Sequence, residues 1–370
     1  MKKLWFCIGC FLVLVAFGGM MLRPRLPEGP GSGQPAKPDP ITEKIAAMTP
    51  EEKAGQLMLV GLEGRTPSEA FQQEMKDHPY GGVILFDRNM ENPAQVKALT
   101  GRLQDLSGDI PLFIGLDEEG GQVARMKDTL PAPPSQAAIG ATGNPDMAQK
   151  WAAETGRQLK QLGINLNLAP VADVGSGAGR SYSNHPATAA KFVEKALAGY
   201  QQVHLMACVK HFPGLGKGQE DTHKGRVTVS ASRETLERED LLPFREALEK
   251  FPEPRFAMMV THVDYPALDP DWPASLSRKV MGDLLRNRLH FDGIIMTDDL
   301  TMGAIAGSWP LEEAAVRALG AGADQVMVCH DPEAIRKVHQ AIAAAIREGK
   351  LPKDQVDRSL YRILKTKESL

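Results

Sequence analysis

The stretch FDGIIMTDD, residues 291–299, leads from the apolar run IIM to two adjacent aspartates. A strand with one solvent-exposed face alternates apolar and polar side chains. A strand buried on both faces of a parallel sheet is expected to have an uninterrupted run of apolar side chains. Seven further runs of this kind begin at Gln56, Gly81, Pro111, Ile164, Leu205, Phe256 and Ala323. The sequence therefore predicts a parallel sheet of eight strands.

Helix-start patterns lie between the apolar runs. An N-cap residue followed by proline occurs at Thr49-Pro50, Thr66-Pro67, Asn144-Pro145 and Asp331-Pro332. Gly320 is predicted to end a helix over residues 311–319. Strands that alternate with helices in this way predict an α/β fold, a (β/α)8 TIM barrel that forms a single domain over residues 43–370. An open, doubly wound sheet is the alternative.

The first forty residues differ in composition from the rest. Lys2 and Lys3 precede an uncharged stretch, residues 4–22, that is long enough to cross a bilayer. Residues 1–22 are therefore predicted to be a signal peptide or signal anchor, with Ala16-Phe17-Gly18 as a candidate cleavage site. Residues 23–42, rich in Pro and Gly, are predicted to be a linker. The protein is expected to be exported, and either anchored in the membrane by this segment or secreted or periplasmic after cleavage.

Charge and cysteine content narrow the possible partners. The net charge is −3 and no block of Lys and Arg occurs, which argues against a nucleic-acid partner. Cys10 within the apolar stretch suggests lipid modification as a minor alternative. Cys208 and Cys329 each lie inside an apolar run, so two buried thiols are favoured over a disulfide or a metal pair.

Ionisable residues follow seven of the eight runs. They are Asp87-Arg88, Asp117-Glu118-Glu119, Asp173, Lys210-His211, His262 with Asp264, Asp298-Asp299 and His330-Asp331. In a barrel, the carboxyl ends of all strands meet on one face, where such enzymes carry their active sites. This face is therefore the predicted site.

The loop KHFPGLGKGQEDTHKG, residues 210–225, is the densest of these clusters. Its glycines and lysines do not match the Gly-x-x-x-x-Gly-Lys-Ser/Thr pattern of a phosphate-binding loop. Its histidines and Asp221 are metal-ligand types, yet neither His-x-His on the first strand nor His-Glu-x-x-His on a helix occurs. Acid/base catalysis is the favoured interpretation; no metal and no cofactor are predicted.

Hydrolysis of a glycosidic bond requires one group that attacks or stabilises the anomeric carbon and one that moves a proton. Asp298, at a strand end, is a candidate for the first role. His223 is a candidate for the second, since imidazole titrates near neutral pH, and Asp221 could orient its ring. Lys210 and His211 could then bind hydroxyl groups.

Five segments resemble one known family. They are LDEEGGQVAR, NLNLAPVADVGSGAGRSYS, VKHFPGLGKGQEDTH, THVDYPALDPDWPASLS and IIMTDDLTMGAI. Their order and spacing are similar to those of the single-domain bacterial β-N-acetylhexosaminidases of glycoside hydrolase family 3. The resemblance runs from about residue 49 to the C-terminus.

The resemblance implies a role for each matching position. Asp298 matches the nucleophile that forms a covalent glycosyl-enzyme, and His223 matches the acid/base residue, with Asp221 as its dyad partner. The residues implied to bind a terminal N-acetylglucosamine are Asp117, Arg125, Arg180, Lys210 and His211. Asp299 matches no essential position and is expected to cap the following helix. Leu215 and Gln122 stand where many relatives have His and Arg.

The expected activity is therefore that of a retaining exo-β-N-acetylglucosaminidase acting on cell-wall peptidoglycan fragments or chitooligosaccharides. Its expected partner is a carbohydrate bearing a terminal N-acetylglucosamine, with membrane contact through the N-terminal segment only. Three alternatives stay open: a phosphorylase of the same bond, a non-catalytic protein that binds wall sugars, and a metallohydrolase.

Overall fold

The computed structural model describes residues 39–127, 130–218, 225–253 and 255–370. The predicted signal segment, residues 1–22, lies outside these ranges. Helix α1, Pro40–Ala47, begins inside the predicted linker, so residues 40–42 are helical and the linker prediction is wrong there. The cause is local, because the Asp39 side chain accepts a hydrogen bond from the Thr42 N–H and caps the helix. Within the described part of the chain, no helix is both long and apolar enough to cross a membrane.

Eight parallel strands close into a barrel, which confirms the predicted TIM-type fold over the open sheet. They are β1 (Met58–Gly61), β2 (Gly82–Ile84), β3 (Phe113–Leu116), β6 (Leu166–Asn167), β7 (Met206–Phe212), β8 (Phe256–Val260), β9 (Ile295–Asp299) and β10 (Gln325–Val328). Seven of the eight lie within the predicted runs, and β7 extends one residue beyond its run, to Phe212. The pairing of Met58 with Val326 joins the last strand to the first.

The continuous hydrophobicity of the runs has the predicted cause. Every residue of β7 is buried, including Cys208, and the same is true of β8. Cys208 and Cys329 are buried free thiols, as predicted. Ionisable side chains follow the carboxyl ends of most strands, and active sites of such barrels lie on this face, so this end of the barrel carries the candidate site.

A short antiparallel hairpin, β4 (Glu118–Gly120) and β5 (Val123–Ala124), follows β3 and was not predicted. It turns at Gly120 and Gly121, whose φ angles are +99° and +62°. A Cβ atom on Gly120 would lie 2.3 Å from the Pro134 carbonyl oxygen, so only glycine fits there. The turn sends the chain back toward β3 and brings Arg125 beside Asp117.

Thirteen α-helices are described within the ranges given above. After α1 they are α2 (Pro50–Gln56), α3 (Glu69–Asp77), α4 (Pro93–Leu106), α5 (Gln136–Gly140), α6 (Asp146–Gln161), α7 (Pro186–Gln202), α8 (Arg233–Thr235), α9 (Leu242–Lys250), α10 (Gly303–Ala306), α11 (Leu311–Ala321), α12 (Pro332–Arg347) and α13 (Lys353–Lys367). Two 3₁₀ segments, Asp87–Asn89 and Ala274–Leu276, and two π-helical segments, Leu236–Asp240 and Lys279–Arg288, complete the helical structure of these ranges.

Helix boundaries follow the predicted signals in part. Thr49 is the N-cap of α2, as predicted, and it forms a capping box with Glu52. Ser68 rather than Thr66 caps α3, because its hydroxyl accepts from the Phe71 N–H. Helix α11 continues to Ala321 and has Gly322, whose φ is +122°, as its C-cap, so the prediction that Gly320 ends it is wrong.

Candidate active site

Lys210 lies at the centre of a buried ionic cluster at the carboxyl face. Its side chain is 2% exposed, and its Nζ is 2.6 Å from Asp117 Oδ1 and 2.7 Å from Glu119 Oε1. These carboxylates follow β3, whereas Lys210 lies within β7, so the barrel brings together side chains that are far apart in sequence. One ammonium thus holds two carboxylates in fixed positions.

Two arginines complete this cluster. Arg125 Nη2 is 2.9 Å from Asp117 Oδ2, and its Nη1 is 3.4 Å from the exposed Asp87. Arg180 forms a two-point contact with Glu119, with Nε 2.8 Å from Oε2 and Nη2 2.7 Å from Oε1. Four of the five residues predicted to bind sugar are thereby brought together. Glu119, to which no role was assigned from the sequence, connects two of them.

Electrostatics keep the cluster ionised. Burial alone would raise the pKa of Asp117, but Lys210 and Arg125 outweigh it and hold that pKa below its usual range. Burial likewise favours a lower pKa for Lys210, and the two adjacent carboxylates reverse this effect and raise it. At neutral pH the cluster therefore presents fixed acceptors and donors side by side, an arrangement suited to neighbouring hydroxyl groups of a sugar.

His211, the fifth predicted sugar-binding residue, has a partner of its own. Its Nδ1 is 2.7 Å from Asp173 Oδ2, and Asp173 Oδ1 accepts from the backbone N–H groups of His211 and Leu215. Burial would raise the pKa of Asp173, but His211 and these N–H groups lower it instead. Asp173 thus fixes both the ring and the start of the loop. Leu215 takes part through its backbone, which explains why a departure at this position is compatible with the loop geometry.

The predicted nucleophile lies at the end of β9. Asp298 is partly buried, and its Oδ1 accepts from the Asp299 N–H at 2.8 Å. The Asp299 carboxylate accepts from the N–H groups of Thr301 and Cys329 at 3.0 and 3.2 Å. The helix that follows has Met302 at its N-cap, so the expectation that Asp299 caps this helix is wrong. Asp299 instead closes a turn and links β9 to the end of β10.

The predicted acid/base pair, Asp221 and His223, lies outside the described residues. Within the described ranges, no group of three His, Cys, Asp or Glu side chains is arranged to hold a metal ion. The described part of the site therefore comprises the Lys210 cluster, the Asp173–His211 pair and the end of β9.

Glu118 is a second residue to which sequence reasoning gave no role. Its side chain is buried, and Oε2 accepts from the Arg125 N–H at 2.9 Å, which closes the β4–β5 hairpin. Burial raises the pKa of Glu118 to about 7, although the N–H groups of Arg125 and Met126 act in the opposite direction. A carboxyl group with a pKa of about 7 is therefore hydrogen-bonded to the backbone of Arg125.

The free energy of unfolding should consequently depend on the Glu118 proton. Because its pKa is raised in the folded state, Glu118 contributes stability at low pH that is lost as pH rises through about 7. We expect the difference in unfolding free energy between wild type and Glu118→Gln to fall by about 2–3 kcal/mol from pH 5 to pH 8. Urea denaturation of both proteins across this range measures it. A difference that stays constant with pH would contradict the prediction.

The chain is similar to known proteins over most of its length. Residues 49–366 match the family described as Glycosyl hydrolase family 3 N terminal domain. A β-hexosaminidase of Nitrosomonas eutropha is 36% identical over 290 residues, which are 75% of this chain and 82% of that protein. The β-hexosaminidase LpqI of Mycobacterium tuberculosis is 31% identical over 334 residues, which cover 86% and 82% of the two chains.

Solved structures are similar to the barrel as well. A β-N-acetylglucosaminidase from a Paenibacillus species superposes with a TM-score of 0.84 at 37% identity, and the match covers 87% of this chain and 63% of that one. This chain therefore spans less than two thirds of the Paenibacillus protein. The structure of M. tuberculosis LpqI gives a TM-score of 0.80 at 30% identity and covers 88% of this chain and 96% of that chain.

Proposed function

This chain belongs to glycosyl hydrolase family 3, and on that premise we propose that it is a retaining exo-β-N-acetylglucosaminidase that uses Asp298 as its nucleophile. The family that the five segments resemble is thereby confirmed, and the chain is a glycoside hydrolase. The observation that carries the finer proposal is the position of Asp298 at a barrel strand end, on the face that also carries the Lys210 cluster.

Asp298 has the properties that a carboxylate nucleophile requires. The Asp299 N–H orients one of its oxygens, and the side chain is only partly buried, so it can reach a bound sugar. In the first step, a carboxylate oxygen attacks the anomeric carbon while an acid protonates the leaving oxygen. In the second step, water displaces the carboxylate and the same acid, now a base, takes its proton. Two inversions give net retention.

The Lys210 cluster is suited to hold the sugar that is attacked. Asp117 and Glu119 offer acceptors, and Lys210, Arg125 and Arg180 offer donors, all fixed by mutual ion pairs. Because these side chains are ordered before substrate arrives, little conformational entropy is lost on binding. In this proposal the cluster binds the hydroxyl groups of the terminal sugar and orients its anomeric carbon toward Asp298.

The proposed substrates are peptidoglycan fragments or chitooligosaccharides that end in N-acetylglucosamine. Support comes from the β-N-acetylglucosaminidase among the similar structures and from the apolar segment at residues 4–22, which favours export to a compartment with cell-wall material. Product analysis on muropeptides and chitobiose side by side tests reaction type and substrate together. Release of N-acetylglucosamine from either is expected; binding of both without release would contradict the proposal.

We further propose that His223, paired with Asp221, is the acid that protonates the leaving group. His223→Ala should slow a substrate with a poor leaving group, such as chitobiose, by about 10²–10⁴-fold. An aryl glycoside with a strongly acidic phenol needs little protonation, so its glycosylation step should slow far less. Pre-steady-state kinetics on both substrates measure the two effects. Equal losses would argue against an acid role, and His185→Ala, at an exposed site, is the control.

A further inference from the structure

His262 is a buried histidine beyond the end of β8 with no role in the chemistry above. Its side chain is 1% exposed. Its Nε2 is 2.9 Å from the backbone oxygen of Asp299, the residue next to the proposed nucleophile, and its Nδ1 is 2.7 Å from Ser275 Oγ. The ring therefore connects the end of β9 to the 3₁₀ segment Ala274–Leu276.

These two partners determine the tautomer of the ring. A carbonyl oxygen can only accept, so Nε2 carries the proton and donates to Asp299. In a neutral imidazole Nδ1 is then an acceptor, and the Ser275 hydroxyl donates to it. Burial lowers the pKa of His262, which favours this neutral form. Ser275 is itself held, because it is fully buried and its N–H donates to the Thr261 oxygen at 3.0 Å.

The hydrogen bond from His262 to Asp299 lies just beyond the last paired residues of β8 and β9. The register between β8 and β9 runs from Met258 opposite Ile295 to Val260 opposite Thr297. Asp298 and Asp299 follow beyond the last of these pairs. On the side of β8, the hydrogen bond from the His262 side chain to the Asp299 backbone oxygen takes the place of a ladder hydrogen bond. On the side of β10, the Asp299 carboxylate accepts from the Cys329 N–H. The dipeptide that carries the nucleophile is thus tied to both neighbouring strands.

We propose that His262 is a positioning residue for Asp298, and that its Nε2–H fixes the backbone of Asp299 so that the Asp298 carboxylate is aligned for attack. The inference rests on the proposed function, in which Asp298 is the nucleophile. His262 acts through the backbone and does not touch the reacting atoms. Loss of this bond should reduce the rate of attack and leave sugar binding intact, because a misplacement of about 1 Å can cost roughly 10² in rate.

Two substitutions separate the hydrogen bond from the packing. His262→Met has comparable volume and no donor, whereas His262→Gln places an amide N–H near the position of Nε2. The readouts are the rate at which a fluorinated N-acetylglucosaminyl donor covalently labels Asp298, followed by mass spectrometry, and the Kd for N-acetylglucosamine. We expect His262→Met to slow labelling about 10²-fold, His262→Gln to recover at least tenfold of that loss, and Kd to change less than about threefold.

His339 provides a matched control. It is also buried, and its Nε2 lies 2.9 Å from the backbone oxygen of Glu51, but it belongs to α12 on the outside of the barrel. His339→Met removes the same kind of bond and should leave the labelling rate of Asp298 unchanged. A loss of labelling equal to that of His262→Met would overturn the proposal, since both effects would then be general destabilisation.

The outcomes distinguish this inference from the proposed function. Labelling of Asp298 at wild-type rate in His262→Met would overturn the inference alone. Labelling of another residue in the wild-type enzyme would overturn the nucleophile assignment and the inference with it. If His262→Met does not fold, His262→Asn replaces it, because the shorter amide does not reach the Asp299 oxygen; equal rates in the Gln and Asn variants would then overturn the inference.

Discussion

Replacing Asp298 with alanine is expected to lower kcat/KM for a chromogenic β-N-acetylglucosaminide by roughly 10⁴-fold or more. Without this carboxylate the glycosyl-enzyme cannot form, and binding by the Lys210 cluster alone supplies only a small part of the rate. The fold should be retained, since the hydrogen bond described for the Asp298 carboxylate is to the adjacent Asp299 N–H. We expect the free energy of unfolding to change by about 1 kcal/mol or less.

Added azide provides a second test of the nucleophile assignment in the Asp298→Ala variant. A small anion can occupy the space left by the missing carboxylate and attack the same face of the sugar, so azide should restore part of the turnover and give the α-glycosyl azide. Asp283→Ala, at an exposed aspartate of the segment Lys279–Arg288, is the control and should keep full activity. Turnover by Asp298→Ala equal to that of wild type would remove the nucleophile assignment.

Replacing Lys210 with methionine is expected to reduce both activity and stability. Lys210 Nζ lies within 2.7 Å of Asp117 and Glu119, and its removal leaves the buried Glu119 and the largely buried Asp117 without their shared partner. Removing one partner of a buried ion pair typically costs about 3–5 kcal/mol. Because Arg125 and Arg180 still neutralise one carboxylate each, we expect a loss of about 3 kcal/mol. We also expect kcat/KM to fall about 10²–10³-fold, since a fixed donor to the sugar is lost.

Guanidinium denaturation and hydrolysis of the same chromogenic substrate measure the two effects of Lys210→Met. Lys97→Met, at an exposed lysine of α4, is the control and should change the unfolding free energy by about 0.5 kcal/mol or less. Stability equal to that of wild type would show that the ion pairs contribute nothing net. Normal kcat/KM would remove Lys210 from the sugar-binding set.

Much of the fold could be predicted because burial imposes a strong pattern on the sequence. A strand covered on both faces must be apolar throughout, and this requirement alone marked the eight barrel strands. The β4–β5 hairpin escaped prediction because its strands are three and two residues long and include Glu118 and Glu119. Its signal is the Gly120-Gly121 turn, which requires positive φ angles that glycine adopts most readily.

The residues of the candidate site could be predicted from the sequence, but the contacts between them could not. Ionisable side chains at strand ends are visible in the sequence, and in a barrel they must converge. Their partners are not visible, because Glu119 and Arg180, or Asp173 and His211, meet only after the strands between them have folded. Likewise, the sequence indicates a histidine after β8, and only the packing around it shows which atom of Asp299 it holds.

The central claim is that this chain hydrolyses a β-N-acetylglucosaminide with retention of configuration. Proton NMR of the N-acetylglucosamine first released from an aryl β-N-acetylglucosaminide, whose leaving group is not a sugar, tests it most directly when it is recorded in phosphate buffer before mutarotation. Our account predicts that β-N-acetylglucosamine appears first and that the α-anomer grows in only by mutarotation. Initial formation of free α-N-acetylglucosamine, or of N-acetylglucosamine 1-phosphate as the main product, would contradict it.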